Sequence, residues 1–454
     1  MRIAMLAPIA QRTGPGPSGP RERMVALLIE GLAAAGIDVT VIEPEAASGS
    51  NREPVMGSGG PVRSKSRDPK VLECLRLSEV FEKADNFDLI HNHHDFVALS
   101  YSGLVKTPIV TTIHGLCSQE SLSVYKKYDG RAYYVSVSDA NRAPDLSYVA
   151  TVYHGIDVEA FSFNEIGGDY LLFSGRIQPR HGAGEAVSIA ERARKKLVIA
   201  GAIADRHYFE REIEPAVDGN RVQFLGPALP EQRISLLGNA LAVLHPVGCE
   251  DPFGLSVMEA NACGTPVIAF PSGPVPEIVT EGVNGFLVRD VVEAAEAVGR
   301  VSAISRIDCR RLAEQRFSRD RMVEDYLQVY ARVLEETKRE DHRPWGYYEV
   351  LSDRPDHKVK RIVVHPGKRL SLQRHTHRAE HWTIISGSPL VTCNDDEIPL
   401  QPGDSINIPL GAKHRIFNPG FEPVVFIEVQ TGDNFAENDI QRFEDDFGRV
   451  LDKS

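Results

Sequence analysis

Two spaced sets of side chains between residues 367 and 418 have the types and intervals of a metal site. The first runs Gly367, five residues, Gln373, one, His375, four, Glu380, six, Gly387. The second runs Gly403, five residues, Pro409, one, Gly411, two, His414, three, Asn418. Gln373 and His375 stand two apart on an expected strand, so their side chains leave the same face. Glu380 and His414 then arrive from neighbouring strands and complete a mixed nitrogen and oxygen ligand set for a divalent ion, zinc first among them. The bland alternative is a pair of surface histidines on an edge strand, and the coincidence of two spacings counts against it.

The elements that must position such a set form an all-β segment from about residue 343 onward. The preceding three quarters of the chain read differently. From 2 to about 155, short apolar runs (Ile3–Ala7, Val39–Ile42, Leu89–His91, Ile109–Ile113, Tyr133–Ser136) alternate with helical stretches at 21–35 and 69–83. The alternation restarts after Gly155 with Tyr170–Ser174, Lys196–Ala200, Val222–Leu225, Ala242–His245 and Pro266–Ala269, with helices between them. Strands alternating with helices mean βαβ units and parallel sheets covered on both faces. The expected boundaries are 1–155, 156–338 and 343–454. Residues 46–67, rich in Gly, Ser, Pro and Arg, read as a loop, and 318–338 as a closing helix with Ser318 at its N-cap. Lys338 to Arg343 reads as a charged linker into the all-β segment.

The whole chain sets further bounds. Its 454 residues suffice for about three domains of ordinary size. Apolar residues at 42% and charged residues at 25% describe a soluble globular protein. A net charge of −12 argues against a general nucleic-acid binder. Six scattered cysteines with no Cys-x-x-Cys pair fit reduced thiols in a cytoplasmic setting. No segment has the length and apolarity of a membrane helix, and the apolar start reads as a first strand rather than a signal peptide.

Residues 1 to about 338 resemble the retaining GT-B glycosyltransferases of family 4. The segments that carry the likeness are Ser-Gly-Arg-Ile-Gln-Pro at 174–179, Asp-Pro-Phe-Gly-Leu-Ser-Val-Met-Glu-Ala at 251–260 and Ala-Cys-Gly-Thr-Pro-Val-Ile-Ala at 262–269. Pro-Glu-Ile-Val at 276–279, Thr-Thr-Ile-His-Gly at 111–115 and Val-Tyr-His-Gly-Ile-Asp at 152–157 extend it. The resemblance implies two Rossmann-like domains, a nucleotide diphosphate sugar as donor, an acceptor of unknown identity, and no metal for the transfer. Negative charge builds on the departing diphosphate, so fixed cations and helix N-termini should face it. Arg176 is placed for that clamp. The family's partner is a lysine five residues on, where this chain has His181 preceded by Arg180, and Arg180 is expected to take its place. Asp251 and Glu259 match the family's paired carboxylates, Glu259 toward the ribose. Asp251, with Phe253, Gly254 and Leu255, would hold the donor sugar. Gly19 remains to serve the Gly-rich turn, although Pro20 has no N–H to give. His114 matches the family's histidine beside the reacting sugar. His91, His93, His94 and Asp95 read as a polar wall on the acceptor side, with a satisfied hydrogen-bond network and a metal site as alternatives.

The double motif at 367–418 resembles that of the cupins, with Gln373 where most cupins have a first histidine. Residues 343–450 are similar, more closely, to the cupin domain of type II phosphomannose isomerases. Arg-Pro-Trp-Gly-Tyr-Tyr-Glu-Val at 343–350, Leu-Ser-Leu-Gln-Arg-His-Thr-His-Arg-Ala-Glu-His-Trp at 370–382, Ile-Glu-Val-Gln at 427–430 and Asp-Ile-Gln-Arg-Phe-Glu-Asp at 439–445 carry that likeness. It implies interconversion of mannose 6-phosphate and fructose 6-phosphate, with a divalent ion held by Gln373, His375, Glu380 and His414. Lys358, Lys360 and Arg378 are candidate phosphate or enediol contacts, and His377 or His381 could carry protons. The expectation is a bifunctional enzyme, with GDP-mannose as the donor on the logic of the fusion. Two alternatives stand beside it: a transferase whose barrel only binds or mediates a homodimer, and an isomerase on a degenerate GT-B scaffold.

Overall fold

A computed structural model describes residues 1–7, 19–42, 69–248, 253–436 and 439–447. The chain divides into two compact units, Met1–Val333 and Leu334–Ser454. Asp251 and most of the Gly-rich turn before Gly19 lie outside the described residues, as does the 46–67 segment.

The first unit holds two six-stranded parallel sheets. Strands β1 (Arg2–Leu6), β2 (Asp38–Ile42), β3 (Leu89–Asn92), β4 (Ile109–Ile113), β5 (Tyr133–Ser136) and β6 (Tyr148–Thr151) lie in the order β2-β1-β3-β4-β5-β6. Strands β7 (Tyr170–Ser174), β8 (Lys196–Ala200), β9 (Val222–Gly226), β10 (Ala242–His245), β11 (Val267–Ala269) and β12 (Gly285–Leu287) lie in the order β12-β11-β10-β7-β8-β9. Each order reverses once, between β1 and β3 and between β7 and β10. In such sheets ligands bind beyond the carboxyl ends of the strands at the reversal. The residues that follow β1, β3, β7 and β10 lie at those two reversals. Both sheets are Val-, Ile- and Leu-rich and buried on both faces, as their uninterrupted apolar runs require.

The helix Arg319–Arg339 opens where Ser318 was expected to cap it, with the Ser318 hydroxyl accepting the Arg321 N–H at 3.2 Å. Gly155 admits its approach: a Cβ there would lie 2.9 Å from the Arg319 Cα and the Ser318 carbonyl. The 205–216 stretch is less regular than its pattern suggests, running through one α-helical turn, a π segment and a 3-10 turn over Glu214–Ala216.

The second unit is a two-sheet antiparallel barrel. Strands β13 (Glu340–Arg343), β14 (Gly346–Asp353), β15 (His357–Val364), β16 (Leu372–His375), β17 (Arg378–Ser386), β18 (Leu390–Cys393), β19 (Asp396–Pro399), β20 (Ser405–Ile408), β21 (His414–Phe417), β22 (Val424–Gly432) and β23 (Ile440–Glu444) build it. One sheet has the order β13-β14-β15-β22-β17-β20 and the other β19-β18-β21-β16-β23. Trp345, Ile362, Val364, Trp382, Ile384, Ile416, Val424 and Phe426 from both sheets pack into one apolar core. The expected charged linker differs from what is found. Glu340–Arg343 is an edge strand paired with β14, and Asp341 takes both the Arg343 guanidinium at 2.6 Å and the Tyr348 hydroxyl at 2.7 Å. Charged side chains are compatible with an edge, where one flank meets solvent.

Candidate functional sites in the barrel and the paired sheets

Strand alternation decides what lines the barrel. On β22 the inward positions Val424, Phe426, Glu428 and Gln430 run from apolar to polar, so the core gives way to a chemical chamber along one strand. The register then sets two cross-strand rows, Lys360–Glu428–Trp382 and Lys358–Gln430–Glu380, across β15, β22 and β17. From the opposite sheet β16 supplies Gln373 and His375, and β21 supplies His414 directly opposite Gln373. The tight turn between β16 and β17 is stapled by Asp439, whose carboxylate accepts the Thr376 N–H, the Thr376 hydroxyl and the His377 N–H.

His375, Glu380 and His414 converge, with one ligand atom of each within 4.8 Å of the others. His375 Nε2 lies 3.1 Å from Glu380 Oε1 and His414 Nε2 lies 3.4 Å from Glu380 Oε2. All three side chains are buried. His414 Nδ1 donates to the Ala412 carbonyl at 3.0 Å, which leaves Nε2 as the lone-pair nitrogen, and that nitrogen is buried without a hydrogen-bond partner among the described residues. An orphaned imidazole nitrogen aimed at a buried carboxylate, its tautomer fixed from behind, is what a metal ligand requires. The donor set therefore fits a divalent cation. Gln373 is less committed. Its Oε1 accepts the Ser371 hydroxyl at 3.0 Å and its Nε2 lies 3.4 Å from His375 Nε2.

The Glu380 carboxylate is held from all sides, by Arg378 Nε at 3.3 Å, Trp382 Nε1 at 3.1 Å and Gln430 Nε2 at 3.2 Å. Burial opposes its charge, yet the two imidazoles hold its pKa well below the usual carboxylate range. Burial likewise works against a charged His414, and the Glu380 carboxylate outweighs it and raises the histidine. Glu428 moves the other way, raised first by burial and next by Glu380. Gln430 stands between the two carboxylates, 2.8 Å from Glu428, and Lys360 Nζ is 3.8 Å from Glu428 with its charge over the Tyr348 ring.

The other barrel candidates are placed unevenly. Arg378 is buried in the chamber, and Lys360 faces it. Lys358 shares that strand face but pairs with Asp353 at 2.8 Å. His377 is exposed on the turn beside Asp433, and His381 points outward to Asn407 at 2.6 Å, so neither is brought to the His375–Glu380–His414 cluster. Sequence reading passed over Glu428, Gln430 and Tyr348. The signal was the alternation along 424–430, which puts 428 and 430 on the face of two core residues.

In the paired sheets, Arg176 follows β7 at the reversal point and is exposed with no partner among the described residues. Arg180, at φ 65°, exchanges hydrogen bonds with Gly248 beyond β10: Gly248 N–H to the Arg180 carbonyl at 2.9 Å, and Arg180 Nη2 to the Gly248 carbonyl at 3.1 Å. His181 contacts the Gln178 amide. Gly254 caps the helix Leu255–Ala262 at φ 61°, where a Cβ would run into the Ile278 Cδ1 methyl. Glu259 is buried in that helix and pairs with Arg233, which also reaches the Ser174 hydroxyl at 3.4 Å. Nothing in the sequence pattern singled out Arg233. Gly19 is the N-cap of helix Pro20–Ala34, with Pro20 in the first turn where a missing N–H is tolerated.

The histidines on the first sheet form a chain. Tyr330 hydroxyl meets His91 Nδ1 at 2.6 Å, His91 Nδ1 lies 3.3 Å from His93 Nε2, and His93 Nδ1 lies 2.8 Å from His114 Nε2. His91 Nε2 meets Thr112, which meets the Tyr326 hydroxyl. His91 and His93 are wholly buried, so the geometry is that of an internal network ending at His114 rather than a wall facing a ligand. Burial lowers His91 to about 3 and drives His93 and His114 well below the ordinary imidazole value. His94 stands apart and pairs with Glu73 at 2.7 Å. The four-residue cluster is not gathered as a metal set among the described residues.

Comparisons with known proteins divide the chain along the same lines. Residues 22–144 match the family model described as Glycosyltransferase Family 4, residues 159–317 that of Glycosyl transferases group 1, and residues 331–445 that of Mannose-6-phosphate isomerase C-terminal. The Xanthan biosynthesis protein XanB of Xanthomonas campestris pv. campestris is 50% identical over 112 residues, covering 25% of this chain and 24% of that protein. The mannose-1-phosphate guanylyltransferase ManC of Salmonella typhimurium is 42% identical over 134 residues, 28% of each chain. This chain thus spans about a quarter of the length of such curated relatives. The structure of HepE from Anabaena in complex with UDP matches 73% of this chain and 100% of that one, with a TM-score of 0.56 and 19% identity, a likeness of fold. The chain joins a GT-B region of the glycosyltransferase family 4 and group 1 type to a C-terminal cupin domain of the mannose-6-phosphate isomerase type.

Proposed function

We propose that this protein is a bifunctional enzyme, in which the barrel interconverts mannose 6-phosphate and fructose 6-phosphate and the paired sheets transfer a sugar from a nucleotide diphosphate donor. The observation that carries the barrel reading is the convergence of His375, Glu380 and His414 inside a chamber that also holds Arg378, Lys360 and Glu428. When bound, a divalent ion, zinc by the donor types, supplies a Lewis acid toward a sugar oxygen. Gln373 is the proposed fourth ligand. The chain's own residues do the rest: Arg378 and Lys360 present fixed positive charge to an anionic substrate, and the chamber shields it from water. The isomerisation breaks C2–H and forms C1–H while the carbonyl moves from C1 to C2, so no oxidant is needed.

For the transfer, Arg176 and the helix end at Gly254 are proposed to face the donor diphosphate, Glu259 the ribose, and His114 a hydroxyl where the reacting sugar meets its acceptor. Asp251, Phe253 and Leu255 are proposed around the donor sugar, with Gly19, Arg180 and His181 at its rim. The C1–O bond to diphosphate breaks, a C1–O bond to the acceptor forms on the same face, and the acceptor's proton passes to the diphosphate. GDP-mannose is the proposed donor, because mannose-1-phosphate guanylyltransferases are among the barrel's relatives; HepE, with its UDP, makes uridine nucleotides the competing class. A cytoplasmic setting is proposed from the cysteines, since Cys74, Cys117, Cys263, Cys309 and Cys393 are all unpaired. No helix among the described residues is long and apolar enough to cross a membrane.

The test is metal analysis of the purified chain with an assay of mannose 6-phosphate turnover, beside a panel of GDP-, UDP- and ADP-sugars scored for hydrolysis or transfer. Metal-free protein inert toward mannose 6-phosphate would sink the isomerase reading. Folded protein silent toward every nucleotide sugar would sink the transferase reading.

A further inference from the structure

Among the described residues, three imidazole nitrogens near the junction of the two parallel sheets are buried without any hydrogen-bond partner: Nδ1 of His114 and both ring nitrogens of His154. His154 sits in the crossover from β6 to β7, only 2% exposed. Its ring lies 5.5 Å from that of His114 on the first-sheet side and stacks at 4.7 Å on Phe253 on the second-sheet side. Leaving a buried polar atom unpaired is costly, so three such atoms side by side call for a ligand. Burial lowers His154 to about 3, which keeps it neutral, with one N–H to donate and one lone pair to accept. Hydroxyl groups, each both donor and acceptor, match that demand. His114 has only Nδ1 to offer, because Nε2 is engaged by His93.

A cation stands beside them. Arg21, in the first turn of helix Pro20–Ala34, donates through Nη2 to the His93 carbonyl, while its Nε is buried with no partner among the described residues. Its charge is felt at His93, His114 and His154. Its largest counter-charge among the described residues is Asp95, but that carboxylate already accepts the Tyr125 hydroxyl at 2.7 Å and the Phe96 N–H at 3.1 Å. A half-buried guanidinium with an open donor selects an oxyanion.

We propose that Arg21, His114 and His154 form a subsite for an acceptor sugar bearing a phosphate, with Arg21 holding the oxyanion and the two imidazoles holding hydroxyls. This rests on the transferase reading. The donor diphosphate has its own cation, Arg176, beyond the second sheet, so Arg21 on the first sheet answers to a second anion. A hexose 6-phosphate, the class of compound proposed for the barrel, carries one phosphate and several hydroxyls on one small ring. The transferase would then consume the product class that the barrel supplies.

Equilibrium dialysis of the full chain with labelled fructose 6-phosphate and mannose 6-phosphate tests this. Two sites per chain are expected, one weakened at least tenfold by Arg21→Gln and the other by His414→Ala. Arg21→Lys should restore part of the first, and His154→Phe should weaken it in protein whose unfolding curve is unchanged. Unphosphorylated fructose should not occupy the Arg21 site, and GDP and UDP binding should survive Arg21→Gln. Sugar-phosphate binding unaffected by Arg21→Gln would overturn the proposal. Loss of GDP or UDP binding in its place would assign Arg21 to the donor diphosphate and overturn it equally. A single wild-type site that depends on Arg21 would uphold it while counting against the isomerase. Failure of the transferase reading shows separately, as silence toward the nucleotide-sugar panel.

Discussion

Glu277 binds Ala140 across the two parallel sheets: Oε1 of the glutamate accepts the Ala140 N–H at 2.7 Å, and Oε2 takes the neighbouring Asp139 N–H at 2.8 Å and the Tyr153 hydroxyl at 2.6 Å. One carboxylate from the helix Val275–Ile278 thereby ties the second sheet's layer to the loop after β5 of the first. Hydrogen bonds to a charged group are worth about 1.5–3 kcal/mol each, less where solvent reaches them. Glu277→Ala should therefore cost about 2 kcal/mol of stability in the first unit. Urea unfolding followed by tryptophan-independent circular dichroism reads it, and an unchanged midpoint would refute the clamp.

Glu380→Gln should abolish stoichiometric metal and sugar-phosphate isomerisation together, since it removes the only anion among His375, Glu380 and His414. Gln430→Leu acts one layer out, by removing the amide N–H group that both Glu380 and Glu428 accept. Outer-shell changes of this kind typically cost about 10–100-fold in metal affinity. A chelator titration of both variants checks the ranking, and equal losses would show that Gln430 is itself a ligand.

Gly254→Ala meets both a φ of 61° and the Ile278 methyl. A left-handed non-glycine residue costs about 1–2 kcal/mol, and relief of the clash would shift the turn proposed to face the donor. The expected result is a several-fold higher KM for the nucleotide sugar with isomerase activity intact. Ile278→Val should recover part of the loss.

The buried histidines predict an acid limit for the first unit. His91 and His154 titrate near 3 in the folded chain against about 6.5 unfolded, and His93 and His114 are lowered too. The unfolded chain binds more protons through that interval, so stability is fully present above about pH 6.5 and falls as pH drops toward 3. Each such histidine adds up to about 1.4 kcal/mol per pH unit to the slope. His91 is packed against His93, Thr112, Tyr326 and Tyr330, and Arg21 is the cation nearest the chain's His114 end. Melting temperatures at pH 7.5 and 5.5 should differ markedly, and His91→Asn should shrink the difference. A flat profile would mean that these imidazoles are protonated or exposed.

Much of the architecture was legible because its signals are local. Apolar runs alternating with helical stretches announced both parallel sheets, and Ser318 announced the last helix. Gln373, His375, Glu380 and His414 could be read because their spacing is short and their types are ligand types. Other features depend on contacts too distant in sequence to be read. His91 looks like a cleft residue until Tyr330, 239 positions away, is found against it. Arg233 meets Glu259 only when the helices Pro230–Gly238 and Leu255–Ala262 come together, and Glu277 meets Ala140 only after two sheets have packed. Glu428 and Gln430 were visible as letters, but their role depends on which face of β22 turns inward.

That strand has a consequence for how the enzyme can change. β22 lies between β15 and β17 and contributes none of the three clustered ligands, yet its alternate residues furnish both core and chamber. A slip of one residue would turn Ile427 and Val429 inward and expel Glu428 and Gln430. Correct pairing is thus enforced by Val424 and Phe426 at the apolar end, while the two positions downstream reach the His375–Glu380–His414 cluster only through Glu380. New chemistries on this scaffold can arise by rewriting a two-letter word at 428 and 430 while the surrounding sentence stays fixed.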